Sequence, residues 1–526
     1  MPIRMVDDPQ DQNEFNENSG GGGRGGSPGG GGGGLLGLLP LLFGLLRTKF
    51  GIVILLIAAG AYFFLGRGGG TSQNASAFSL GGDLDPREFA KAKVYEGLED
   101  DNAKNPLPEY ISLAKFAPER QNQGHQGSCV AWSSAYGAHT ILEAASRGTN
   151  PNQTAFSPSY VYNQIGLDGC QGSYIIRAME LLQKKGGVPY NSFPYTDQDC
   201  SNTPSTSLDA MAAQNRIHGF NRLTTTEDPE GISVRAIKEH LAKDAPVVIG
   251  MMVGGSFMEG MMGQKLWQPS QGDYSQQGFG GHALCVIGYD DRLSGGSFQI
   301  MNSWGPEWGE NGIGWVRYAD FKEFVREAYG LDPLPKQGEA LNKPFDCEIG
   351  LMQVDEKAKP TTYIPLKAGG GNVFTSSTLP IGVKFKVEVK NSTECYVYVF
   401  GRETDGSSYT LFPYPSKNDP AKTAYSAYCG ITGYRLFPKG KSMQADSIGT
   451  KDYIAVVVSK EDLNWVQLNE DISKNRTSYP AALVTALSGM GSGKISVSST
   501  GSGNLHFTAP AAEKGVAYAV VEINKQ

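Results

Sequence analysis

An uncharged run of sixteen residues, FGIVILLIAAGAYFFL from Phe50 to Leu65, divides the chain and restricts any compact fold to the residues beyond it. As a helix it spans about 24 Å, which snorkelling of Arg47 and Lys49 extends towards the ~30 Å of a hydrocarbon core. One transmembrane helix is therefore expected over residues 50–66. A cleaved secretory signal is the alternative, since Asn74–Ala77 offers small residues, but its leading region would be about fifty residues long. Arg47 and Lys49 precede the run and only Arg67 succeeds it closely, so the positive-inside bias places the bulk of the chain outside the cytoplasm. Ahead of the run, residues 1–19 are polar and acidic, and twelve glycines fall within residues 20–34. Such a segment cannot bury enough apolar surface to offset its ordering entropy, so residues 1–49 are expected to be a disordered tail ending in the apolar juxtamembrane stretch Leu35–Leu46.

The remainder has ordinary globular composition, and 526 residues allow two to four domains. A net charge of −7 with no Lys/Arg run argues against nucleic acid as a partner. The six histidines form no HExxH pair and the seven cysteines no CxxC pair, so neither a metal nor another cofactor is expected. Residues 67–106 read as a linker, 107–333 as a globular domain mixing helix and strand patterns, and 334–379, rich in Lys, Gly, Pro and Thr, as a second linker. From 380 to 526, alternating runs such as VKFKVEV, CYVYVF and YIAVVV predict an all-β, sandwich-like domain. The fold class expected is thus α+β followed by all-β. The sequons at Asn391 and Asn475, and His506, read as surface accidents.

The segment QNQGHQGSCVAW carries the chemistry. Ala131, Ala135, Ala138, Leu142 and Ala145 recur at helical spacing behind Cys129, and Arg147–Gly148 supplies the stop. With Ser128 as N-cap, Cys129 lies in the first turn, where unpaired N–H groups favour a thiolate and should lower its pKa below about 8.5. A buried structural cysteine is the plainer alternative. A thiolate nucleophile needs a base and a group that orients it. His282 opens HALCVIGYDD, Asn302 lies in SFQIMNSW, and the intervening DDRLSGGS turn folds the two runs into a hairpin that brings them within two or three residues of opposite.

These blocks resemble the papain family of cysteine peptidases. NQGHQGSCVAWS, GGHALCVIGYDD and IMNSWGPEWGENGIGWVRY occur in family order, and LPEYISLAKFAP resembles the start of the mature domain, covering roughly residues 107–332. The resemblance implies a two-lobed α+β domain. It implies Cys129 as nucleophile, His282 as base and acid, Asn302 as the group orienting the imidazole, and Gln123 as an oxyanion-hole donor. Trp304 matches the indole over the His–Asn pair and is grouped with the substrate side, where Gly172 and Ser173 of GCQGSY match the strand that pairs with extended substrate. Ser173 replaces a usual glycine and should crowd that approach. Tyr174, Ile175 and Ala283 are candidate pocket walls. Gln126 stands where the family usually has a cysteine, leaving Cys170 and Cys200 as two half-pairs that could close on each other. No long propeptide separates the apolar run from LPEY, so Asp85–Asn105 is expected to strap the cleft. Residues 380–471 resemble a β-rich domain of unassigned function appended to bacterial enzymes, whose ligand is unknown. The expectation is a membrane-anchored peptidase of the bacterial envelope acting on peptides or proteins. The alternatives are an inactive scaffold that keeps the cleft, and a cell-wall amidase or acyltransferase using the same Cys–His pair.

Overall fold

The computed structural model describes residues 3–9, 78–224, 231–339, 343–476, 478–490, 495–510 and 515–526. The expected tail beyond residue 9 and the expected helix over 50–66 lie outside them. No helix among the described residues is long and apolar enough to cross a membrane.

The chain enters as β1 (Arg4–Asp7), an edge strand of the C-terminal domain. The first domain is built on an antiparallel sheet of β2 (Tyr110–Ser112), β3 (Phe220–Arg222), β4 (Val247–Val253), β5 (Gly280–Asp290), β6 (Ser297–Met301), β7 (Ile313–Arg317) and β8 (Val325–Leu331). Its order is β3-β8-β4-β5-β6-β7, with β2 also on β5. β4 and β5 are buried along almost their whole length, so their apolar runs are continuous rather than alternating.

The helix beginning at Cys129 packs against β5. It is α-helical over Cys129–Ala131, widens into a π-helix over Trp132–His139, and resumes as α over Thr140–Arg147. It ends where Gly148 turns left-handed at φ 65°, as the Arg147–Gly148 stop predicts. A Cβ on Gly137 would lie 3.2 Å from Cys285 Cβ, so the small residue lets helix and strand approach. Ser128 does not cap the helix with its side chain; its hydroxyl is engaged by Tyr195 OH at 2.6 Å.

The C-terminal domain is a sandwich of two sheets. One runs Arg4–Asp7, Lys441–Gln444, Lys384–Asn391, Phe345–Val354, Leu505–Ala509, Ser496–Ser499. The other runs Leu366–Gly370, Val373–Ser376, Val516–Asn524, Lys451–Ser459, Cys395–Arg402, Ser408–Phe412. Val397 and Val399 of the CYVYVF run face the core between the sheets, while Tyr398 and Phe400 face outward against the helices Trp465–Lys474 and Tyr479–Ala486. The expected sandwich is thus present, with these two helices packed on one outer face.

Four expectations are corrected. Residues 334–379 are mostly not a linker: Phe345–Val354 is a central strand whose alternate residues Cys347, Ile349 and Leu351 are core, and the Lys/Gly/Thr-rich part forms exposed strands beyond it. Within the tail, Arg4–Asp7 pairs with Lys441–Gln444. Of the 67–106 linker, residues 78–105 are ordered against both domains. Asn391 is buried, with Nδ2 donating to Cys429 O at 2.9 Å and Oδ1 accepting from Arg435, so its sequon is no surface feature.

Cys170 and Cys200 form a disulfide with Cα atoms 5.9 Å apart, closing a thirty-residue separation. A Cys170→Ala/Cys200→Ala double variant is expected to lose about 3–4 kcal/mol of unfolding free energy, read from the denaturant midpoint of the oxidised protein against the variant.

Candidate active site

Cys129, His282 and Asn302 converge where the Cys129 helix starts beside the first residues of β5. The Cys129 sulfur accepts from the Ala283 N–H at 3.4 Å, one residue beyond His282. In the β5–β6 ladder Cys285 lies opposite Met301, which carries Asn302 back to the imidazole. His282 Nε2 lies 2.8 Å from Asn302 Oδ1, and the same oxygen accepts from the Ser303 N–H at 2.8 Å. An oxygen that already accepts from a backbone N–H requires Nε2 to be the donor, leaving Nδ1 as the bare nitrogen of the neutral ring. Nδ1 is buried without a hydrogen-bond partner. Trp304 stacks on the imidazole, centroids 4.3 Å apart at 24°, and shields the His–Asn bond from water.

Gln123 joins this group through Ser303. Its Oε1 accepts from Ser303 Oγ at 2.6 Å, its N–H donates to Ser303 O at 2.8 Å, and its Nε2 donates to Gln126 O at 3.0 Å. Ser303 thus fixes both amides, the backbone N–H holding Asn302 and the hydroxyl deciding which end of Gln123 points outward. Sequence reasoning missed Ser303, although it stands between the two residues singled out in NSW.

The cleft beside Cys129 is filled by the chain itself. Residues Phe78–Leu84 cross it as a strap, so the expected strap over Asp85–Asn105 is displaced upstream; that longer stretch is the strap's root. Ser79 O accepts from Gln123 Nε2 and from Trp304 Nε1, both at 3.1 Å. Gly81 O accepts from Ser173 N, Asp83 N donates to Ser173 O, and Gly82 N donates to Gly281 O, at 3.0, 3.0 and 3.1 Å. Gly82 and Ser173 run parallel. Ser173 does not crowd the approach, because its side chain turns inward and donates to Ile165 O. Gly172 has φ 131°, and a Cβ there would meet Gly81 O at 2.9 Å. The strap needs its own glycine: a Cβ on Gly81 would come within 2.1 Å of Gly127 O.

Leu84 lies over Gly250, where a Cβ would meet Leu84 Cδ2 at 2.4 Å, beside Ile175 and Glu327. Burial pushes the Glu327 carboxyl up to about 8. Glu327 escaped sequence reasoning, though it is a lone acid in the buried strand VREAYGL. Ordering the seven strap residues costs about 7–14 kcal/mol. The hydrogen bonds at Ser79 O, Gly81 O, Gly82 N and Asp83 N, with the Gly81 N–H on the Cys129 sulfur, contribute about 1 kcal/mol each and Phe78, Leu80 and Leu84 about 1–3 kcal/mol each. By its own contacts the strap comes out near zero.

The strap also changes the electrostatics. The helix-start position predicts a lowered thiol pKa; instead burial pushes Cys129 up to about 12, against the lowering effect of the N–H groups of Ala283, Val130 and Gly81. Burial likewise draws His282 down to about 4, with the Asn302 bond opposing it. The strapped site holds a neutral thiol and a neutral imidazole. Among the described residues no group of three or more His, Cys, Asp or Glu could hold a metal.

Residues 113–328 match the sequence profile described as "Papain family cysteine protease". Similar proteins include a cathepsin B-like CP2 of Giardia intestinalis, 28% identical over 37% of this chain and 62% of that protein, and cathepsin K of Mus musculus, 27% identical over 39% and 58%. The chain thus spans about three-fifths of those relatives' length. Among solved structures, xylellain, a cysteine protease from Xylella fastidiosa, aligns at TM-score 0.39 and 22% identity over 49% of this chain and 97% of that one. Residues 113–328 are thus similar to the papain-family cysteine peptidase domain.

A thiol held near 12 is neutral at ordinary pH, so in the full chain the alkylation rate of Cys129 should climb with pH to about 10 without levelling. Gly81→Ala should unseat the strap and bring a plateau at or below about pH 8.5, read by iodoacetamide kinetics and peptide mass.

Proposed function

We propose that this protein hydrolyses peptide bonds through a Cys–His–Asn site and a covalent acyl-enzyme once the strap has left the cleft. Cys129 Sγ gives its proton to His282 Nδ1 and attacks the scissile carbonyl carbon. The charge that develops on the carbonyl oxygen meets Gln123 Nε2 and the Cys129 N–H. Collapse breaks the C–N bond, and His282 returns the proton to the departing amine, leaving a thioester. Water, deprotonated by the same nitrogen, then releases the acid and restores the thiol. Asn302 holds the imidazole through Nε2 in both halves, and Ser303 keeps both amides in place.

One observation carries this reading. A backbone carbonyl, Ser79 O, already sits on Gln123 Nε2 while the next residues pair with Ser173, so the cleft accepts extended peptide backbone against the donors the reaction needs. A substrate side chain replacing Leu84 would meet Ile175 and Glu327.

Membrane anchoring through residues 50–66, with the catalytic domain outside the cytoplasm, is part of the same proposal and rests on the sequence. The pairing of β1 with Lys441–Gln444 sets a condition on it. A single crossing between residues 9 and 78 would put β1 and its partner strand on opposite sides of the bilayer, so the anchored form proposed here requires β1 to be released from Lys441–Gln444. An N-terminal epitope tag on the membrane-embedded protein should be protected from added protease on the catalytic-domain side; a tag cleaved there would reject the single crossing.

The activity is tested with the full chain carrying Gly81→Ala and a peptidyl epoxide. Stoichiometric adduct at Cys129, lost with His282→Ala, and peptide hydrolysis lowered about 10²–10³-fold by Gln123→Ala are expected. An unlabelled Cys129 would favour the scaffold reading.

A further inference from the structure

The strap's own contacts come out near balance, yet it is seated, and what holds it lies downstream. Asp85 caps the short helix Pro86–Phe89, whose Phe89 ring meets Tyr329 edge-on at 5.2 Å. From Lys93 onward the chain is gripped from both sides. On the catalytic side, Arg222 N donates to Lys93 O at 2.8 Å and Tyr95 N to Arg222 O at 3.1 Å. On the other side, Val94 N donates to Ala424 O at 2.7 Å and Ser426 N to Val94 O at 3.0 Å. The root is a strand shared between the two domains.

The grip of the C-terminal domain continues. Arg435, fully buried, donates from Nε to Glu96 O at 2.9 Å, and Lys439 Nζ donates to Gly97 O at 3.1 Å while pairing with Glu96. Glu99 N donates to Tyr434 O at 2.8 Å, Asn105 Nδ2 bonds the same oxygen, and Asn105 Oδ1 accepts from Tyr434 N. Lys104 bridges Glu99 and the buried Glu388 of that domain. These bonds are made to a domain outside the matched peptidase segment, which ends at residue 328.

We propose that the C-terminal domain is the latch of the strap. By gripping residues 94–105 it keeps 78–84 at high effective concentration over Cys129, and loosening that grip opens the site. This rests on the peptidase reading above. The domain's role is then regulatory: its grip is on residues 94–105 and not on Cys129, His282, Asn302 or Gln123, and it acts through the nine residues between Leu84 and Val94. A tether that short makes any shift of the C-terminal domain against β3 a pull on the strap.

The test severs the tether and leaves latch and cleft unaltered. A recognition sequence for a site-specific protease is inserted between Ala90 and Lys91, both exposed, in the full chain. Alkylation of Cys129 and hydrogen exchange at Gly82 and Asp83 are tracked before and after cutting. Cutting should speed both about tenfold or more, with exchange in β4 unchanged as the control for an intact fold. A second route, Lys439→Met with Lys104→Met, should speed them in the uncut chain. If 78–84 stays protected after the cut, the strap holds itself and the latch is rejected. Gly81→Ala separates the two readings: if Cys129 stays unreactive there too, the peptidase reading fails and not the latch.

Discussion

The short contact between the start of the Cys129 helix and the start of β5 orders everything else at the site. It places the sulfur on the Ala283 N–H, sets His282 one residue away, and through the β5–β6 hairpin returns Asn302 to the imidazole. Both elements are buried and packed through Gly137 and Cys285, so neither can shift without disturbing the other. Ser303 then extends the same fixation to Gln123. The four polar groups form one hydrogen-bonded unit whose geometry is inherited from a helix–sheet contact and not from loops.

Much of this was legible because it is local. The small-residue face after Cys129, the Gly148 stop and the apolar strand runs on either side of DDRLSGGS each report their own backbone, and the three family-like blocks name the chemistry. The Cys170–Cys200 bridge came from the two half-pairs that the resemblance leaves over. What stayed hidden is non-local. Residues 334–379 read as a linker because hairpins on an exposed sheet edge have linker composition, and only the partner strands Lys384–Asn391 and Leu505–Ala509 show Phe345–Val354 to be central. Arg4–Asp7 carries no strand signal apart from the edge it completes. The lowered thiol pKa expected from a helix start was overturned by a covering segment that lies far upstream of the helix, beyond the reach of sequence periodicity. FSLGGDL has no pattern that marks it as backbone for a cleft, since its pairing uses main-chain atoms.

The arrangement also divides labour between the domains. Under the proposed activity, the domain that holds Cys129 supplies the chemistry and a groove for extended backbone, and the strap occupies the donors a substrate would use. The C-terminal sandwich completes the root of that strap with Arg435 buried between Asn391 and the Glu96 carbonyl. Two closely fitted glycines, Gly81 and Gly172, make the strap's fit steric as much as energetic.

The Cys170–Cys200 bridge closes the loop that presents Gly172 and Ser173 to the cleft, and Cys170 O also accepts from the Gly127 N–H two residues before the nucleophile. A reductant strong enough to keep Cys129 as a free thiol therefore acts on one rim of the groove as well. Reducing surroundings would keep Cys129 as a thiol and slacken the wall beside it, so thiol chemistry at one end of this groove is set against mechanical integrity at the other.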